Sequence, residues 1–363
     1  MRGSAVYVVS LLIWGVAQAQ ESGIKLTTLP ERERVEIQLA HGESTLVEEE
    51  RTLNLLKGTN EIQFSWDNVN IDGGSILFRA LDDAAGVTVL NVNYPPGRQA
   101  LTWQVHSKAG GPARIRISYL LANVGRSYSY RAVVSRDEKT MVLRKYLTLR
   151  NVSGEGFQDA AIWAGFGKSF KKFILTGESK MMLLHRFDDV PVRKTYTYDP
   201  AATGDKVWMH YVLKNDTANK LGLFPLQFGK VRLFMQDSQG GDAFLGEDWG
   251  AFTPIDAEMR LAIGLSKDIV VKRKLVRNER LNVRWQVHDQ EMIYEYEIEN
   301  FKKEAVRLDI VEHVQSQGEK GPETSEPVTL ELRDAFTPVL HVDCPPEGKK
   351  VVVRFHFIQK NLW

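Results

Sequence analysis

His341 and Asp343 lie two residues apart, with Cys344 beside them, and this run places an imidazole, a carboxylate and a thiol closest together. Residues two apart on a strand share a face, so His341 and Asp343 could act on one ligand. A metal would need a third ligand from elsewhere in the chain. The plainer reading is ordinary surface and turn chemistry. Cys344 is the sole cysteine, so it has no partner for a disulfide within the chain. A reactive thiol needs exposure and a cationic neighbour, and the simpler expectation is a half-buried small residue. Glu247 and Asp248 are the adjacent carboxylates a glycosidase would require as a pair, but neighbours on a strand face opposite ways. Glu295, Glu297 and Glu299 form a row on one strand face, expected to be solvated and to guard a sheet edge.

Other chemistries lack their motifs. None of the eight histidines stands in His-x-His or His-Glu-x-x-His spacing. No Gly-x-Ser-x-Gly elbow occurs, and no glycine-rich phosphate or dinucleotide loop follows a strand. Gly165-Phe166-Gly167-Lys168-Ser169 lacks the first glycine and the following helix of a phosphate loop. No cofactor, metal site or catalytic residue is therefore expected. Two surface features remain as candidate binding sites. Trp249, beside Gly250, is placed to be exposed, and an exposed indole is how many carbohydrate-binding modules stack against sugar rings. Lys272, Arg273 and Lys274 lead a basic cluster that could meet an anionic polymer or phospholipid head groups. The competing reading is a solvated strand face opposite the acidic row, since cross-strand charge pairs are common in sheets.

These residues must be positioned by strands. The chain has 363 residues, 43% of them hydrophobic and 26% charged, with a formal charge of +1. That balance argues against disorder, a multispan membrane protein, and a nucleic-acid footprint. Period-two alternation recurs in short runs. Ile115, Ile117 and Tyr119 share one face, Val231, Leu233 and Met235 another, and Val351, Val353, Phe355 and Phe357 a third. The cluster Asp237-Ser238-Gln239-Gly240-Gly241 reads as a hairpin turn. The stretch Ser179 to Asp188 suits a short helix or a strand. Lys168 to Lys206 reads as a long connection, and Gly318 to Pro327 as an exposed loop.

The expected fold class is all-β, with two or three consecutive β-sandwich domains, the last immunoglobulin-like. Residues 20–108 form the first domain, 109–252 the second and 253–363 the third. Residues 1–19 read as a signal peptide, with Arg2, an apolar run from Ala5 to Ala17, and small residues Ala17 and Ala19 at the cleavage positions. The run is about 13 residues, short of the roughly 20 that span a membrane. Cleavage after Ala19 removes Arg2 and leaves a mature chain without net charge.

Several segments carry a resemblance. They are Glu48-Glu49-Glu50-Arg51-Thr52-Leu53, Leu56 to Ile62, Asp189 to Lys194, Tyr196 to Asp199, Leu221-Gly222, Gly229 to Phe234, Phe244 to Asp248 and Ile269 to Lys274. In order and spacing the chain resembles the exported bacterial family named for the mucoidy inhibitor A homologue, with its C-terminal domain of unknown function. It departs at Ala251-Phe252-Thr253-Pro254, where that family has an Asp-His-Thr-Pro run, and it lacks the family's long coiled-coil insertion. The resemblance implies an exported, all-β, multi-sandwich protein and carries no catalytic residues to transfer.

The expectation is an exported protein, periplasmic or extracellular, that binds or scaffolds rather than catalyses. Its partner would be a protein or glycan of the cell envelope, with no nucleic acid and no membrane span after cleavage. The alternative is a hydrolase or carbohydrate-binding module acting on envelope or extracellular glycans.

Overall fold

The computed structural model describes residues 25–39, 44–82, 86–164, 169–314, 320–323 and 328–362. The expected signal segment 1–19 and the Gly165–Lys168 part of the rejected phosphate loop lie outside these residues. The described chain is nearly all β. Its first strands are β1 (Lys25–Thr28), β2 (Arg34–Gln38), β3 (Thr45–Leu55), β4 (Gly58–Ser65), β5 (Leu77–Ala80), β6 (Val87–Asn93), β7 (Ala100–Ser107) and β8 (Gly111–Leu121). There follow β9 (Val124–Val134), β10 (Thr140–Asn151), β11 (Phe157–Trp163) and β12 (Phe170–Ile174). The chain divides into two compact units, residues 1–125 with 150–179, and 126–149 with 180–363. The division falls within β9, β10 and the first residues of β13, and residues 108–110 join β7 to β8 inside the first unit.

The first unit holds a four-stranded sheet ordered β1-β4-β7-β6 and a six-stranded sheet ordered β12-β11-β2-β3-β8-β5. Strand alternation drives Leu53, Ile115, Ile117 and Tyr119 inward, all 1% exposed or less. Phe64 of one sheet meets Tyr119 of the other at 5.9 Å between ring centres, and Phe78 meets Trp103 at 5.2 Å. The interior also takes in the carboxylate of Glu49, held by Arg32 at 2.5 Å and Arg51 at 2.9 Å. A buried carboxylate needs such partners, because the charge loses its water.

The second unit continues with β13 (Ser179–Pro191), β14 (Arg193–Tyr198), β15 (Val207–Lys214), β16 (Gly229–Gln236), β17 (Asp242–Gly250) and β18 (Glu258–Leu265). Then come β19 (Ile269–Arg284), β20 (Val287–Asn300), β21 (Val306–Val311), β22 (Lys320–Glu323), β23 (Val328–Asp334), β24 (Thr337–Cys344) and β25 (Lys350–Leu362). The expected long connection from Lys168 to Lys206 is corrected: it contains β12, β13 and β14 and one helical turn, Pro200–Thr203, capped by Asp199. The stretch with two readings, Ser179 to Asp188, is strand. Within the expected loop Gly318 to Pro327, residues 320–323 pair with β25.

A five-stranded sheet runs β13-β10-β9-β16-β17. Its β16–β17 turn is the expected hairpin, closed by the Asp237 amide donating to Gly241 O at 2.9 Å. Gly229 is needed where β16 enters beside β9, since a Cβ there would lie 2.3 Å from Tyr128 O. A six-stranded sheet, β18-β15-β14-β21-β24-β23, shares a core with a four-stranded sheet, β19-β20-β25-β22. Tyr198, Tyr296, Leu308, Val353 and Phe355 are fully buried in it. Each such side chain contributes about 1.5–3 kcal/mol on leaving water. This sandwich draws β14 and β15 from residues 193–214 as well as strands after 253.

Candidate functional site

The residues singled out by sequence separate in space. Cys344 faces the core and is 1% exposed, so it is fully rather than half-buried. Burial pushes its thiol up to about 12, far from the thiolate a nucleophile requires. His341 and Asp343 point to the opposite face of β24, as alternation demands. Glu247 pairs with Lys230 at 2.6 Å, a hydrogen bond that holds its carboxyl below the ordinary range. Asp248 turns the other way and accepts from the Ala262 amide at 2.6 Å, tying β17 to β18. Among the described residues no cluster of three or more His, Cys, Asp or Glu is placed to hold a metal ion.

Trp249 is 55% exposed on β17. Its ring stacks on Phe228, with centres 5.1 Å apart and planes 3° from parallel, and Lys230 Nζ lies 5.2 Å from the indole. Lys272 stands opposite Glu297 and Lys274 opposite Glu295 on the β19–β20 ladder. Arg273 behaves differently from its neighbours. It shares the inward parity of Ile269 and Val271, and its guanidinium donates to Glu312 at 2.8 and 3.0 Å. It also lies 3.5 Å from the centre of the Tyr294 ring, while Tyr296 donates its hydroxyl to Glu312 at 2.6 Å. Partial burial works against the charge, but Glu312 outweighs it and raises the arginine pKa, so Arg273 is a fixed cation at the edge of the core.

The outward face of the six-stranded sheet holds a constellation that sequence spacing did not reveal. Alternation on β14 sends Tyr196 and Tyr198 into the core and Arg193, Thr195 and Thr197 outward. Register then sets Thr195 beside His210 of β15, Thr197 beside Asp309 of β21, and Asp309 beside His341 of β24. Around them opens a groove of about 700 Å³, lined by Arg193, Thr195, Arg260, Arg307, Glu331 and Arg333 among others.

Partners in this groove are unequal. Arg193 is matched by Glu258 at 3.2 Å. His341 bridges two carboxylates, with Nδ1 2.7 Å from Asp309 and Nε2 2.9 Å from Glu331. Arg260 donates only to the neutral Thr197 hydroxyl at 2.9 Å. Burial, and then the like charge of Arg333, hold its guanidinium below the ordinary arginine range. Arg307 and Arg333 make neither an ion pair nor a side-chain hydrogen bond among the described residues. Beneath them, the Thr195 hydroxyl, on a residue 6% exposed, has no hydrogen-bond partner, and neither does His210 Nδ1. Buried polar atoms are usually paired, so an orphaned hydroxyl on the floor of a cationic groove sets this site apart.

No protein-family model and no curated protein matches this chain. The groove must therefore be read from its own chemistry. Arginine forks suit the two oxygens of a carboxylate or the oxygens of a phosphate or sulfate. Asp309, Glu331 and Glu258 are acceptors for ligand hydroxyls. The combination suits a ligand carrying both anionic and hydroxyl groups. The signal available in the sequence was the outward parity of Arg193, Arg260, Arg307 and Arg333 on separate strands. Only sheet register brings them together.

Proposed function

We propose that this chain is an exported β-sandwich protein of the cell envelope or extracellular space, and that it acts by binding acidic glycans in the groove of its six-stranded sheet. The observation that carries this reading is the set Arg260, Arg307 and Arg333, cations that make no close ion pair with a carboxylate among the described residues, around the unpartnered buried hydroxyl of Thr195. Export is supported by the charged, apolar and small-residue order of residues 1–19, and by the resemblance to an exported bacterial family. Calorimetric titration with oligogalacturonate, against a neutral galactose oligomer of equal length, tests the proposal. Binding of the acidic oligomer alone is the expected result. Arg260→Gln and Arg307→Gln should each weaken it about tenfold or more, the usual loss for a charge-assisted hydrogen bond. Equal affinity for the neutral oligomer, or indifference to both substitutions, would overturn it.

A second reading rests on Trp249. The Phe228–Trp249 stack presents flat aromatic surface at an exposed position, the arrangement by which sugar rings are held. If neutral glycans bind and Trp249→Ala abolishes that binding, the stack rather than the groove is the glycan site.

A further inference from the structure

The β19–β20 hairpin extends beyond the core it helps to build. Ile269 and Val271 are buried, but from Lys274 to Arg284 only Leu281 is even half-buried. At the tip, the strands pair Arg284 with Val287 and leave Trp285-Gln286 as a two-residue turn. Trp285 is 101% exposed and Val283 62% exposed. Trp285 also has φ +58°, in the left-handed region where such turns place glycine, asparagine or aspartate. A bulky indole held at that φ, with every atom in water, stabilises nothing within the fold. Residues kept in disfavoured backbone regions cluster at functional positions.

We infer that this hairpin tip is a membrane-contact element that seats Trp285 in the head-group region of an anionic phospholipid surface. The charge around the tip supports a lipid occupant. Arg277 is matched by Glu279 at 2.9 Å and Glu291 at 2.8 Å, and Asp289 by Asn282 at 2.8 Å. Arg280 makes no ion pair among the described residues, and Arg284 feels Asp289 only through a weaker charge interaction, so the tip presents an indole and an exposed valine between two arginines that no close carboxylate neutralises. Tryptophan favours the membrane–water interface because its ring is apolar and its N–H is polar. Arginine reaches phosphate oxygens from the same depth while its stem covers apolar surface. One indole and two arginines make a weak, salt-sensitive contact, suited to holding a binding protein near a surface rather than anchoring it.

Co-sedimentation of the full chain with vesicles tests this. The chain is expected to sediment with mixed phosphatidylglycerol and phosphatidylcholine vesicles, weakly with phosphatidylcholine alone, and less in high salt. Trp285→Gly suits the backbone of the turn and should leave the melting curve unchanged or slightly raised while lowering vesicle affinity about tenfold. Arg280→Gln and Arg284→Gln should each cost about fivefold on the anionic vesicles only. No sedimentation with anionic vesicles, or full binding by Trp285→Gly, overturns the inference and leaves a protein partner as the occupant of the tip. The readout is independent of the groove, because oligogalacturonate affinity should be unchanged in Trp285→Gly.

Discussion

The two outward faces of the C-terminal sandwich carry similar residue types and differ in how their charges are matched. On the four-stranded sheet, Lys272 faces Glu297, Lys350 pairs with Glu297 at 2.7 Å, and Arg354 pairs with Glu295 at 2.8 Å. Lys350 first, with Lys272 and Lys274 behind it, holds the Glu297 carboxyl below its ordinary range. The row neutralises itself. On the six-stranded sheet, Arg260 and Arg333 converge without such partners over a floor with an unsatisfied hydroxyl, and Arg307 has Asp343 across the β21–β24 ladder without an ion pair between them. A run of basic residues in sequence is therefore a poor guide to an anion site. What matters is whether nearby carboxylates neutralise each cation, since an exposed matched pair has little left to offer a ligand.

The largest expected effect breaks the matched side from within. Arg273→Met leaves the Glu312 carboxylate, 4% exposed, facing Tyr296 without its cation. Removing one member of a buried pair typically costs about 3–5 kcal/mol, and urea denaturation should show a loss of that order. Arg260→Met should by contrast leave stability unchanged or raise it, because burial and like charge already disfavour that guanidinium. Equal losses from both substitutions would erase the distinction between the two faces.

A third cation sharpens the comparison through pH. Lys145 of β10 is fully buried, with Nζ bonded to Gln227 and lying 4.2 Å from the centre of the Phe224 ring. Burial lowers its pKa from 10.5 to about 7. Between those values the unfolded chain binds a proton that the folded chain does not, so this group makes stability rise with pH from about 7 toward 10.5. The penalty is complete below about 7. At about 1.4 kcal/mol per pKa unit, a few kcal/mol are at stake. Urea midpoints should therefore rise from neutral pH to about pH 9 in the native chain and stay nearly flat in Lys145→Met. A slope that survives the substitution would assign the effect to other groups.

These cases also show which features were legible in sequence. Period-two alternation is local, so the inward faces of Ile115-Ile117-Tyr119 and Val351-Val353-Phe355-Phe357 were readable from residue types alone, as was the Asp237 turn. The same parity rule, carried through Ile269 and Val271, points Arg273 into the core. Its neighbours Lys272 and Lys274 obscured that by making a basic run. His341 stood out beside Asp343 and Cys344, but its partners are Asp309 and Glu331 on adjoining strands. The groove was illegible for one physical reason. It joins residues across the strand order β18-β15-β14-β21-β24-β23, and three of those neighbouring pairings are not hairpins between successive strands. Register across such a sheet follows from packing at a distance, which no local pattern encodes.

The smallest expected effect is the most pointed check on that lesson. Lys272→Gln and Lys274→Gln remove charges from an exposed, matched face, and each should change stability by less than about 0.5 kcal/mol. Neither should alter oligogalacturonate affinity, although both belong to the densest basic run near the C-terminal sandwich. If charge density alone attracted the ligand, these two substitutions would weaken binding as much as Arg260→Gln does, with the same dependence on salt. Titrations of the three variants at low and moderate salt separate the cases. A loss confined to Arg260→Gln means that the ligand selects the cations the fold leaves unmatched, and a uniform loss means that it follows the summed field of the surface.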